Sequence, residues 1–296
     1  MAETETGGPA TRVGVIGLGQ IGSGVASNVA TAGLSVVVCD VAEAATARFA
    51  DRATIAQSPA LLGTLCDVLV VAVVNDEQVI SVLDGSDGAL STLSPGAVVV
   101  VLSTISLHSI EEMAAAASRR GVDLIDCGVS GGPAASAAGE LVSMVGGDEA
   151  AIDRAQPVLD AFSSLVVRMG PLGSGLVAKL ARNVVQYGSW LAAYEGQRIA
   201  EAAGIELAKL AQVIRASDVK IGGPSTLMFR PTVAPLGPDD HEGLVAAMRT
   251  GAALAHKDLR AALEVGAQMG LDLPVAEMTD AQCDSIFGVG EERTAP

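Results

Sequence analysis

The chain is short of basic side chains: 18 Lys and Arg stand against 34 Asp and Glu in 296 residues, a formal charge of -16 at neutral pH. That surplus repels phosphate backbones and anionic lipid alike, which argues against nucleic acid and membrane surfaces as partners. Long hydrophobic runs are also missing. The longest, such as "VLVVAVV" and "AVVVVL", are of strand length, far below the roughly 20 residues a membrane span needs. The opening "MAETETGGPA" has acids and no apolar run, so residues 1–10 read as a disordered tail rather than a secretory or transit signal. A soluble, cytoplasmic protein is expected. Cysteine is sparse: Cys39, Cys66, Cys127 and Cys283 show no close pairing of the zinc or thioredoxin kind, and with three histidines there is no convincing metal set. Buried, reduced thiols are expected instead. No internal repeat is visible, and no low-complexity tract beyond an alanine bias.

Half of the residues are apolar, enough for a sizeable core and most simply divided between two domains. Up to about residue 170, β-branched runs alternate with helical stretches. "RVGVIG" (12–17), "SVVVCD" (35–40), "DVLVVAV" (67–73), "GAVVVVLS" (96–103), "VDLIDC" (122–127), "LVSMVGG" (141–147) and "SLVVRMG" (164–170) read as strands. Several lack apolar–polar alternation, as strands covered on both faces do. In "SLHSIEEMAAAASRR", Ser106 suits a helix start and Arg119 and Arg120 the negative end of the dipole. The order predicts an α/β fold, a doubly wound and mainly parallel sheet over residues 11–170, with an all-helical domain over 171–296. The helical part is interrupted by "GGPSTLMFRPTVAPLGPDD", too long for a mere connection and expected to border a site.

"GLGQIG", residues 17–22, directly follows the strand "RVGVI" and opens a helix, the context a dinucleotide loop requires. Gly17 permits the tight turn, Gly19 lets backbone approach a pyrophosphate, and Gly22 allows close helix packing; Leu18, Gln20 and Ile21 fill the loop between them. Asp40 ends the second strand 18 residues beyond Gly22, near the spacing at which an acid grips the ribose 2'-hydroxyl and repels a 2'-phosphate. No base follows closely, and Arg48 comes about two turns into the expected helix, so NAD is favoured over NADP. Val74 and Asn75, beyond the strand ending at Val73, are counted among the cofactor contacts.

Four further features fall at strand ends or on helices: "STIS" at 103–106, "DCGVSGGP" at 126–133, "GSGLVAKLARN" at 173–183 and "HKDL" at 256–259. Lys179 and Asn183 are four apart and share one helical face. "VSGG" offers a small hydroxyl and unobstructed backbone N–H groups, suited to a carboxylate. A lysine can exchange an alcohol proton at neutral pH if burial or a neighbouring cation lowers its pKa.

In that order and at those approximate distances, with "GELVSMVGGD" between them, these segments resemble the β-hydroxyacid dehydrogenase family, which includes 3-hydroxyisobutyrate dehydrogenase and tartronate semialdehyde reductase. The resemblance implies a Rossmann domain joined by a long helix to an all-helical domain, in a homodimer or homotetramer. It also implies NAD(P)-dependent interconversion of a small β-hydroxy acid and its semialdehyde. By analogy Lys179 is the acid/base and Asn183 its helper. Ser130, Gly131 and Gly132 form the carboxylate cradle, Thr104 neighbours nicotinamide and substrate, and Lys257 with Asp258 is the helical domain's contribution. The chain departs from the family's common Ala-Pro at Cys127–Gly128, and its last segment, "DSIFGVGEERTAP", does not match the usual closing helix. The related 6-phosphogluconate dehydrogenases carry an acid where Gln186 stands, and imine reductases generally have Asp or Tyr in place of the lysine. Gln186 thus argues against the decarboxylating reaction and Lys179 against imine reduction, the latter less firmly; the alternatives kept are an imine reductase-like NAD(P)H-dependent reductase and a non-catalytic dinucleotide-binding protein.

Overall fold

The structure, a computed structural model, describes residues 11–290; the expected tail at 1–10 and the last six residues lie outside them. The elements run β1 (Arg12–Ile16), α1 (Gly22–Thr31), β2 (Ser35–Cys39), α2 (Glu43–Thr46), β3 (Thr54–Ile55), α3 (Pro59–Gly63), β4 (Val68–Val71), α4 (Asp76–Asp84), β5 (Val98–Val101), α5 (Leu107–Ser118), β6 (Asp123–Ser130), α6 (Gly132–Ala138), β7 (Leu141–Gly146), α7 (Glu149–Phe162) and β8 (Ser163–Gly170). Four long helices follow: α8 (Ser174–Ala202), α9 (Leu207–Ile221), α10 (Glu242–Gln268) and α11 (Pro274–Phe287). Two compact units result, one up to Arg182 and one from Asn183.

In the first unit the strands form one eight-stranded sheet in the order β3-β2-β1-β4-β5-β6-β7-β8. All pairs are parallel except β6 with β7. The valine runs of β4 and β5 are buried at every position because helices cover both faces. Period-2 geometry divides them: Val68, Val70, Val98 and Val100 belong to one core, with Phe162 and Leu159 of α7, and Leu69, Val71, Val99 and Val101 to the other, with Ile110 and Met113 of α5. The chain order reverses between β1, which pairs with β2, and β4 on its other side. At such a switch point the crevice beyond the strands' carboxyl ends is open to a ligand.

Two details differ from the sequence reading. The strand β3 is only two residues long, too short to show any run or alternation. β6 does not end at Cys127 but continues to Ser130, because the antiparallel β7 pairs Cys127 with Val145, Val129 with Ser143 and Ser130 with Val142. Most of "DCGVSGGP" is therefore strand rather than loop. Helix α5 is capped as expected: the Ser106 hydroxyl accepts from the Ser109 N–H at 3.1 Å, and Arg120 donates to the Ala116 carbonyl at 3.2 Å. The four cysteines are buried and unbridged, and burial pushes the Cys66 and Cys127 thiols up to about 12.

The second unit rests on polar ties more than on a broad core. Glu195 of α8, 5% exposed, accepts the N–H groups of Val275 (2.7 Å) and Ala276 (3.0 Å) at the start of α11, where those donors have no intrahelical partner. His256 of α10 meets Asp280 of α11 at 2.5 Å, and that hydrogen bond raises its pKa. The Pro- and Gly-rich loop between α9 and α10 lies along α11, with the Leu236 N–H on the Gly288 carbonyl at 2.7 Å. Among the described residues no helix is long and apolar enough to cross a membrane.

Phe162 is fully buried where α7 meets β8. Phe162→Ala is expected to cost about 3–5 kcal/mol of unfolding free energy, read as a lower midpoint in urea; a loss below about 1 kcal/mol would contradict this packing.

Candidate active site

The first half of the site is built by the turn after β1. Gly17 takes φ +90°, a conformation costly for any side chain, and its N–H reaches the Cys39 carbonyl at 3.0 Å. A Cβ at Gly22 would overlap the Gly17 carbonyl, whereas one at Gly19 would meet nothing within 4 Å. One glycine is needed for packing and another leaves the outer face bare. Leu18 is buried, and its N–H donates to Asp40 Oδ2 at 2.6 Å, while Asp40 Oδ1 accepts from Ala42 at 2.8 Å. Asp40 thus fixes the turn that it also flanks. No side chain caps the start of α1; the Ser23 N–H reaches the Gly19 carbonyl at 3.0 Å, and the helix N-terminus stands beside the bare face of Gly19, an arrangement that fits a pyrophosphate. Arg48 is not remote as the sequence suggested: α2 stops after Thr46 and a single 3-10 turn follows, which returns the Arg48 guanidinium to within 3.4 Å of the Leu18 carbonyl.

The second half lies beyond β4, β5 and β6, around a cavity of about 300 Å³ whose lining includes Ile21, Val74, Thr104, Val129, Gly132 and Lys179. Ser103 also lines it and ties its walls together, donating to the Val73 carbonyl at 2.8 Å. Gly131 and Gly132 have φ of +122° and +70°, and a Cβ on Gly132 would meet nothing within 4 Å, so its backbone is open on that side. Lys179, in the second turn of α8, is half-buried and donates from Nζ to the Val129 carbonyl at 2.5 Å. Burial first, and repulsion from Arg182 second, hold its pKa below the ordinary lysine range. Lys179 is also the only lysine before residue 183.

Comparison with known proteins identifies the family. A family model described as the NAD binding domain of 6-phosphogluconate dehydrogenase matches residues 12–170, and one described as the NAD-binding domain of NADP-dependent 3-hydroxyisobutyrate dehydrogenase matches 173–292. The chain belongs to the β-hydroxyacid dehydrogenase family. It is 35% identical to an uncharacterized oxidoreductase of Mycobacterium tuberculosis over 96% of each chain. Against the 2-(hydroxymethyl)glutarate dehydrogenase of Eubacterium barkeri the identity is 30%, over 95% of this chain and 91% of that one. A solved oxidoreductase from Mycobacterium avium superposes with a TM-score of 0.86 at 34% identity, covering 94% of this chain and 99% of that one. The chain is thus an NAD(P)-binding oxidoreductase.

In this dehydrogenase the structure brings Ile21, Val74, Thr104, Gly132 and Lys179 to one cavity. Gly17, Leu18, Gly19, Gln20, Gly22 and Asp40 form the adjoining turn and its support, whereas Ser130 and Gly131 precede Gly132 in the chain. Asn75 is occupied as the cap of α4, its side-chain oxygen accepting from the Gln78 N–H at 3.0 Å. Asn183 follows Lys179 by one turn of α8 and begins the second unit. Lys257 and Asp258 lie on α10 in that unit, paired with each other at 3.2 Å and with both side chains largely exposed. The sequence reading passed over Ser103, Val129 and, beneath the cavity, Asp126. Ser103 stood inside the quoted "STIS"; Val129 acts through its carbonyl, which leaves no mark in a sequence.

Proposed function

We propose that the enzyme interconverts a small β-hydroxy acid and its semialdehyde, with Lys179 as general acid/base. The observation that carries this reading is the half-buried Lys179 ammonium on the cavity that Thr104 and Gly132 also line. Bound NAD(H) supplies the hydride acceptor or donor. In the oxidative direction, the neutral Lys179 amine takes the substrate hydroxyl proton; in reduction, the ammonium returns it to the carbonyl oxygen. Asn183, four residues on along the same helical face, holds the lysine or the hydroxyl by hydrogen bonding. Ser130, Gly131 and Gly132 receive the carboxylate, and Thr104 stands between substrate and nicotinamide. Eubacterium barkeri's 2-(hydroxymethyl)glutarate dehydrogenase, named for a hydroxymethyl acid, supports the substrate class.

NAD is the cofactor in this reading, because the Asp40 carboxylate at the end of β2 accepts hydroxyl donors and repels a 2'-phosphate. The helical unit mediates a homodimer or homotetramer: Tyr187, Trp190, Leu191 and Tyr194 of α8 and Val213 and Val219 of α9 are all more than half exposed, and an apolar face of that extent calls for a protein partner.

Lys179→Ala is expected to lower kcat by about 10² to 10⁴ with the Kd for NAD kept within threefold. For the wild type, oxidation should rise with pH to an inflection below the ordinary lysine pKa, since the amine must be neutral, and that limb should vanish in the variant. Near-normal turnover in Lys179→Ala would remove the lysine from the reaction. Comparing kcat/KM for the two cofactors should favour NAD; a higher value with NADP would overturn the role given to Asp40 and direct attention to Arg48. Light scattering should find a dimer or tetramer, and Trp190→Glu should reduce the mass toward that of one chain; a monomeric wild type would contradict the assembly.

A further inference from the structure

The chemistry above leaves a buried acid of the first unit, Asp126, unused. Asp126 of β6 is 2% exposed, and its two carboxylate oxygens accept the N–H groups of Gly173 and Leu176, each at 2.6 Å. These donors lie at the start of α8, where a helix leaves its first N–H groups unpaired and its dipole favours an anion. Burial pushes the Asp126 carboxyl up and the two N–H donors pull it back.

The approach between these elements is close enough to need bare backbone on three of them. A Cβ at Gly146 of β7 would meet Asp126 Oδ1 at 2.5 Å, one at Gly175 of α8 would meet Asp126 Oδ2 at 2.9 Å, and one at Gly128 of β6 would meet Lys179 Cβ at 2.5 Å. Strand periodicity puts Asp126 and Gly128 on the same face of β6, and Lys179 follows Leu176 by three residues, about one helical turn. The carboxylate therefore grips α8 one turn below the lysine, and Gly128 is the surface over which the lysine stem passes.

We infer that Asp126 is a positioning residue for the reaction: its carboxylate clamps the first turn of α8 to β6, and with Gly128 sets the depth at which Lys179 meets the Val129 carbonyl and the cavity. The inference rests on the reading of Lys179 as the proton carrier, but its geometry can be tested apart from catalysis. Asp126→Asn keeps the volume while turning one acceptor into a donor facing another donor. Gly128→Ala leaves the carboxylate intact and pushes on the lysine stem instead.

The chain has four lysines, at 179, 209, 220 and 257, so selective ¹³C labelling of lysine gives a titration by NMR in which Lys179→Ala assigns the signal. Lys179 should titrate below the ordinary lysine range in the wild type, and its midpoint should move toward that range in both Asp126→Asn and Gly128→Ala. In parallel, kcat for the NAD-dependent oxidation should fall about 10- to 100-fold in both, with the Kd for NAD within twofold because the turn after β1 is untouched. Unchanged midpoints in both folded variants would overturn the clamp, as would a loss of thermal stability with kcat and the pH profile intact. Should the midpoints move while Lys179→Ala still turns over normally, the clamp stands and the catalytic reading of Lys179 falls. If Asp126→Asn does not fold, Gly128→Ala decides by the same midpoint and kcat.

Discussion

The first turn of α8 lies on the backbone of β6 and β7, and the closeness of that approach decides what the cavity contains. A carboxylate satisfies two N–H groups of the helix, and three glycines let the elements touch without side chains between them. This arrangement delivers a lysine, a compact and strongly hydrated cation on a flexible stem, to one carbonyl at the cavity's edge. Without the clamp an ammonium at this position would extend to water. With it, the lysine is half-buried and its pKa is held below the ordinary lysine range.

The other wall depends on a different economy of contacts. Asp40 holds the Leu18 N–H and so fixes the glycine turn, Gly22 packs against the Gly17 carbonyl, and the face at Gly19 stays open. The Ser103 hydroxyl joins the loop after β5 to the end of β4. Each is a short local tie, and all lie where the strand order reverses, so the sheet's twist and topology bring the nucleotide turn and the lysine wall to the same edge.

Much of this was legible in the sequence because the signals were periodic or conformational. The valine runs carry burial on both faces, the spacing of Gly17, Gly19 and Gly22 carries a backbone shape, and the four-residue interval from Lys179 to Asn183 carries a helical face. What stayed hidden depends on pairing across the chain. The extension of β6 through Ser130 follows from its antiparallel neighbour β7, in the register Asp126 with Gly146 and Ser130 with Val142, which no local pattern announces. The return of Arg48 to the glycine turn follows from a helix that ends after one turn. Asp126 was in plain view inside "DCGVSGG", yet an acid at a strand end reads as solvated; only its two-residue interval from Gly128 hinted at a shared, close-packed face. Gly128, where the family commonly has Pro, lies against the stem of Lys179.

We propose that this site oxidises a β-hydroxy acid. The most direct test is NADH formation from NAD with a panel of small β-hydroxy acids (3-hydroxyisobutyrate, 3-hydroxypropionate, glycerate and L-serine), beside 2-hydroxy acids that lack a β-hydroxyl and the amides of the same β-hydroxy acids. Turnover is expected with at least one β-hydroxy acid and is expected to be lost with the matching amide, since the proposed role of the Ser130–Gly132 backbone is to receive the carboxylate. Turnover only with 2-hydroxy acids, or reduction of cyclic imines with none of the β-hydroxy acids accepted, would contradict it.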